Sequence, residues 1–156
     1  MNRSFGRLIA LAFIAGFLGV LVFHQGFLLV AYLSGWLPRA PYDLSATPPL
    51  GVPKVISLAF WGGVWGIVMV LALRRIGSGR RLALAFLFGG LVPTLAGTLI
   101  VAPLKGQPVL LLPGRLALGF IINGIWGLGA MICYTLLARR PAAGKLPANK
   151  RAEPAA

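Results

Sequence analysis

Residues 8–33 read LIALAFIAGFLGVLVFHQGFLLVAYL, 26 positions without a Lys, Arg, Asp or Glu. A helix rises about 1.5 Å per residue, so about 20 residues cross a hydrocarbon core about 30 Å thick, and this run is longer than that. Three more uncharged runs follow at 55–73, 82–104 and 116–138. Lipid offers the backbone no hydrogen-bond partners, so each run must form a helix that satisfies its own amides. The sequence therefore predicts an all-α membrane protein, with a four-helix transmembrane domain over 1–138 and a disordered basic tail over 139–156. The tail, PAAGKLPANKRAEPAA from 141 onward, has no apolar periodicity.

Composition agrees with that reading. Of the 156 residues 58% are hydrophobic and 11% charged, where a soluble domain carries roughly a quarter charged side chains. Mean hydropathy is +0.88. Asp43 and Glu153 are the only carboxylates, His24 the only imidazole and Cys133 the only thiol. One chain with that inventory cannot build a paired-carboxylate site, a carboxylate metal cage, a bis-histidine haem or a multi-thiolate centre, so no catalytic, cofactor or metal site is expected. Arg3 and Arg7 precede an apolar run, as in a signal peptide. That run is long for such a segment, though, and no small-residue cleavage site follows HQG at 24–26, so an uncleaved first span is expected.

The 15 basic residues fall unevenly between the connecting segments. Arg3, Arg7, Arg74, Arg75, Arg80, Arg81, Arg139, Arg140, Lys145, Lys150 and Arg151 belong to one side, and Arg39, Lys54, Lys105 and Arg115 to the other. The positive-inside rule then places both termini and the 76–79 turn in the cytoplasm, with loops 34–54 and 105–115 outside. Arg74, Arg75, Arg80, Arg81, Arg139 and Arg140 become candidates for contact with anionic lipid headgroups. Nucleic acid is not an expected partner, because the charge sits at helix ends and forms no single basic face. Five prolines between 38 and 53 predict that the first outer loop is neither helix nor regular strand, a semi-rigid cover that leaves Asp43 in a mobile segment.

The chain also repeats itself. GRLIALAFIAGFL at 6–18 aligns without a gap on GRRLALAFLFGGL at 79–91, an offset of 73, and GVWG at 63–66 on GIWG at 124–127, an offset of 61. Apolar composition alone makes Leu and Ala coincide, so the weight rests on Gly, Arg, Phe and Trp coinciding in order. A unit of two spans keeps its orientation when copied, which predicts two tandem parallel hairpins related by a pseudo-two-fold axis along the membrane normal. Gly62, Gly63, Gly66, Gly124 and Gly127, with Ala12, Gly16, Gly89 and Pro93, are expected to bring helix backbones close together.

Few polar residues interrupt the spans. Counting from the outer helix ends puts His24, Thr94 and Asn123 roughly 10 to 14 Å deep, in one layer with Gln25 beside it. Ionisable and amide groups at that depth tend to face the bundle interior or mark a pathway, so His24, Gln25, Thr94 and Asn123 form the candidate polar layer. Interhelical hydrogen bonding is the plainer role for the same residues. Trp36 suits the membrane interface, while Trp65 and Trp126 lie nearer mid-span, where packing on glycines is expected. Pro93 should kink the third span.

GVPK at 51–54, SLAFWGGVWG at 57–66 and HQG at 24–26 together resemble a family of small four-helix bacterial inner-membrane proteins. That resemblance implies a bacterial inner-membrane location and supplies no activity. The chain resembles neither the small multidrug exporters, which need a membrane-embedded Glu, nor metal transporters with rows of acidic or Cys/His ligands. The expectation is thus a non-enzymatic membrane component that packs with itself, a partner complex or lipid. The competing expectation is a small oligomeric transporter or channel working through the His24/Asn123 layer. A membrane enzyme using His24 with Asp43 ranks last, because a loop carboxylate is a poor orienting partner.

Overall fold

The computed structural model describes residues 3–139 and is mostly helical, with four helices long and apolar enough to cross a membrane. These candidate spans, called spans below, are the first Ser4–Leu33, the second Lys54–Leu73, the third Ser78–Leu104 and the fourth Pro113–Ala138. Each starts one to four residues before the uncharged run that marks it. Hydropathy ends a run at the first cation, whereas the helical backbone continues past Arg7, Lys54, Arg80 and Arg115. Residues Arg140 to Ala156, and with them the expected tail and one of the candidate lipid-facing arginines, lie outside the described residues.

Two of the helices change pitch. The first carries a π-helical turn over Gly19–His24, the third one over Gly97–Val101. Such turns widen the helix by one residue and often accompany functional sites. Pro93 lies inside the third span, one turn before its π-helical segment.

Glycine decides how the helices pair. Gly66 stands so close to the first span that a Cβ there would lie 2.7 Å from the Ala12 carbonyl oxygen and 2.8 Å from the Gly16 Cα. Gly127 meets the Ala85 carbonyl and lies 3.0 Å, on the same measure, from the Gly89 Cα. Beside each crossing an aromatic ring covers a second glycine: Phe13 on Gly63, Phe86 on Gly124. The two rings make edge-on contacts with Phe60 and Phe120, at 5.7 and 5.6 Å between centroids. The first span therefore pairs tightly with the second, and the third with the fourth.

Between these pairs the packing is lopsided. The first and fourth spans meet along an extended seam, while the second and third share few contacts. On the seam Gly19 lies against Ala130, Gly129 lies under the Phe23 ring, and the buried Trp126 indole N–H donates to the Gly16 carbonyl at 2.9 Å. The core includes Ala12, Val20, Ala59, Met69, Ala85, Trp126, Ala130 and Met131.

The loop after the first span departs from its expectation. Ala46–Thr47 (β1) and Val52–Pro53 (β2) form a two-residue antiparallel pair. The prolines confine it to this minimum, since proline adds no ladder donor. Asp43 is also held in place: Oδ1 accepts from the Ser45 amide at 2.9 Å and Oδ2 from Lys54 Nζ at 3.1 Å. The Asp43 and Ser45 carbonyls in turn accept from the Val55 and Lys54 amides, which satisfies the first donors of the second span.

A cavity between the second and third spans

Where the second and third spans diverge, a half-open cavity of about 210 Å³ remains. Its wall takes His24 from the first span, Trp61 and Trp65 from the second, Pro93 from the third, and Asn123 and Trp126 from the fourth. Gly62 forms part of the floor, a position where a Cβ would meet Val20 and lie 3.2 Å from Trp126 Nε1. The cavity is apolar with a few polar groups converging on it, the usual composition of a small-molecule pocket.

The four residues of the expected polar layer divide into two arrangements. Asn123 Nδ2 donates to Thr94 Oγ1 at 2.9 Å, joining the third and fourth spans beside the cavity. His24 and Asn123 both line the cavity, yet each takes its hydrogen bond elsewhere. The partner of His24 Nδ1 is its neighbour's amide nitrogen, Gln25 Nε2, at 3.3 Å. Gln25, only 4% exposed, belongs to the loop contact, because its Oε1 accepts from the Tyr42 backbone N–H at 2.7 Å.

That chain of contacts fixes a tautomer. With Oε1 committed as acceptor, the amide end of Gln25 must face the imidazole, so Nδ1 accepts and the single ring proton of a neutral His24 sits on Nε2. Tyr42 supplies the anchor. It holds a positive φ of 57°, an unusual conformation for a bulky residue, and its hydroxyl donates to the Leu21 carbonyl within the π-helical turn at 2.9 Å. The Tyr42 contacts were not legible in the sequence. A tyrosine between prolines carries no local pattern that distinguishes docking from exposure.

Asp43 stays away from His24. Its carboxyl pKa lies near 2, lowered first by hydrogen bonding to Ser45 and then by Lys54. The pair is solvent-exposed, so it pins the loop and contributes little stability.

The tryptophans separate as the sequence anticipated only in part. Trp36 is 78% exposed and Trp126 is buried, while Trp61 and Trp65 both face the cavity. At the other end of the bundle Arg81 donates through Nε and Nη2 to the Ile76 carbonyl, closing the turn between the second and third spans. Arg74, Arg75, Arg80 and Arg139 are exposed at the same helix ends.

No known family model matches this chain, and no curated protein or solved structure shows significant similarity to it.

Proposed function

We propose that the chain is a non-enzymatic inner-membrane protein, four spans arranged as two like-oriented copies of one hairpin, whose working site is the cavity between the copies. The cavity carries this reading: three indoles supply an apolar wall, and His24 and Asn123 supply polar groups within it. A small, largely apolar ligand with one or two hydrogen-bonding atoms fits that chemistry. Duplication is supported by equivalent crossings. Ala12, Phe13 and Gly16 meet Gly63 and Gly66, and Ala85, Phe86 and Gly89 meet Gly124 and Gly127, with partners spaced by the same offsets of 73 and 61. The uneven seam departs from an ideal two-fold axis. Two copies that close on one side must part on the other, and the cavity lies where they part.

The non-enzymatic reading is supported by what occupies the one possible acid–base pair. The Nδ1 of His24 is taken by Gln25, and the Asp43 carboxylate by Ser45 and Lys54. Orientation with both termini in the cytoplasm is supported by Arg81 and Arg139, which meet at one end of the bundle while Lys54 lies in the loop region of the other.

The test is mass spectrometry of the protein extracted from its own membranes in mild detergent. A bound small molecule retained by wild type and lost from H24A/N123A supports the reading, and identical spectra for the two overturn it. A transporter or channel is the second reading, favoured by the opening of the cavity between spans and by the π-helical turns near it. Solute flux across liposomes containing the purified protein, abolished in H24A/N123A, would select it.

A further inference from the structure

At the opposite end of the bundle from the tryptophan cavity, a second cleft of about 290 Å³ separates the start of the third span from the end of the fourth. Ser78, Arg81 and Arg139 form its polar edge, and Leu82, Met131 and Leu136 its apolar wall. We infer that this cleft binds one anionic phospholipid, its phosphate held between Arg81 and Arg139 and an acyl chain lying on Leu82 and Leu136.

Three observations carry the inference. First, Arg81 is aimed by the protein: the Ile76 carbonyl takes Nε and Nη2 at 3.2 and 2.7 Å, spending two of its five donors and leaving the others without a protein partner. A guanidinium held in that way turns its remaining N–H groups toward an oxyanion such as a phosphate. Second, the charge is not neutralised within the described residues. Their only carboxylate, Asp43, is bonded to Lys54 in the loop that caps the second span. Third, the wall opens on the outer surface of the bundle, where Leu82 is 41% and Leu136 56% exposed. A free phosphate would use the edge and leave that wall bare, whereas a phospholipid covers both. The inference rests on the membrane-spanning reading, since only then does hydrocarbon face the leucines.

The protein, purified in a neutral detergent, is titrated with dioleoylphosphatidylglycerol and followed by native mass spectrometry. Wild type should take up one lipid saturably. R81Q/R139Q should bind at least tenfold more weakly, and R74Q/R75Q, which removes two arginines outside the cleft, should stay within about twofold of wild type. Because Arg81 also closes the turn, R139Q alone and L136E, which sets a carboxylate on an exposed part of the wall, provide variants that spare the fold, and each should weaken the lipid severalfold. Equal loss in R74Q/R75Q overturns the site, leaving only diffuse charge. Equal uptake of dioleoylphosphatidylcholine, or displacement by millimolar inorganic phosphate alone, overturns the phospholipid assignment. A carbonate wash of the source membranes keeps the two readings apart. A protein that washes off refutes the membrane reading, whereas one that stays but takes up no phosphatidylglycerol refutes the cleft alone.

Discussion

Replacing Gly66 with alanine tests the helix crossings most directly. The new Cβ would lie 2.7 Å from the Ala12 oxygen and 2.8 Å from the Gly16 Cα, and both obstacles are backbone atoms that cannot rotate away. Restoring the 3.4 Å of ordinary contact requires the first and second spans to separate by roughly 0.7 Å along that line. Overpacking of this kind costs about 1–3 kcal/mol, and the helix propensity of alanine returns up to about 1 kcal/mol, so a net loss of about 1–2 kcal/mol is expected. Gly26→Ala supplies the reference, because nothing lies within 4 Å of a Cβ there, and that variant should be neutral or slightly more stable. Gly127→Ala, blocked by Ala85 and Gly89, should match the Gly66 loss within about 1 kcal/mol if the hairpins are equivalent. Equilibrium unfolding in mixed micelles with a rising SDS fraction reads all three. A Gly66→Ala protein as stable as Gly26→Ala would refute the close crossing.

Other expectations follow from single contacts. Trp126→Phe removes the N–H that bonds Gly16 and leaves a smaller ring, so it should lose about 2 kcal/mol in the same unfolding assay. Thr94→Val keeps the side-chain shape but removes the acceptor of Asn123, with an expected loss of about 0.6–1.7 kcal/mol and no effect in an Asn123→Leu background. The loop should respond to acid. Hydrogen bonding lowers the Asp43 pKa from its ordinary 3.8 to about 2, so its contribution is fully present above pH 3.8 and fades as pH falls through about 2. The Ser45 amide proton resonance should titrate with a midpoint near 2 in wild type and lose that titration in Asp43→Asn; a midpoint near 4 would show the carboxylate free of both partners.

The four long apolar helices and the glycines of their crossings could be read from the sequence, because each depends on periodicity or composition over a single helix. What escaped it depends on pairs of residues far apart in the chain. Gln25 counted as a member of the polar layer by depth alone, yet its amide serves the loop through Tyr42. No local rule couples positions 25 and 42. Loop 34–54 seemed mobile because proline disfavours regular structure, but beyond its two-residue strand pair the loop is anchored by the Tyr42 backbone N–H and hydroxyl and by the Asp43 carboxylate.

The uneven seam is different, because residue volumes along the chain already differ at the corresponding positions. At the seam between the first and fourth spans stand Gly19, Gly129 and Ala130, all buried. Offsets of 73 and 61 match them with Val92 in the third span and with Val68 and Met69 in the second. On the duplicated-hairpin reading proposed above, side chains of that bulk would keep the second and third backbones apart where glycine and alanine let the first and fourth close, since helix backbones in a bilayer approach only as far as their smallest residues allow. On that reading the substitutions that distinguish the two halves would also open the cavity. Shrinking the spacers tests this: Val68→Gly with Val92→Gly should draw the second and third spans together and reduce the reactivity of a cysteine placed at Leu58, on the cavity wall, toward a water-soluble maleimide in a Cys133→Ser background. Unchanged labelling at position 58 would mean that the spacing is set elsewhere.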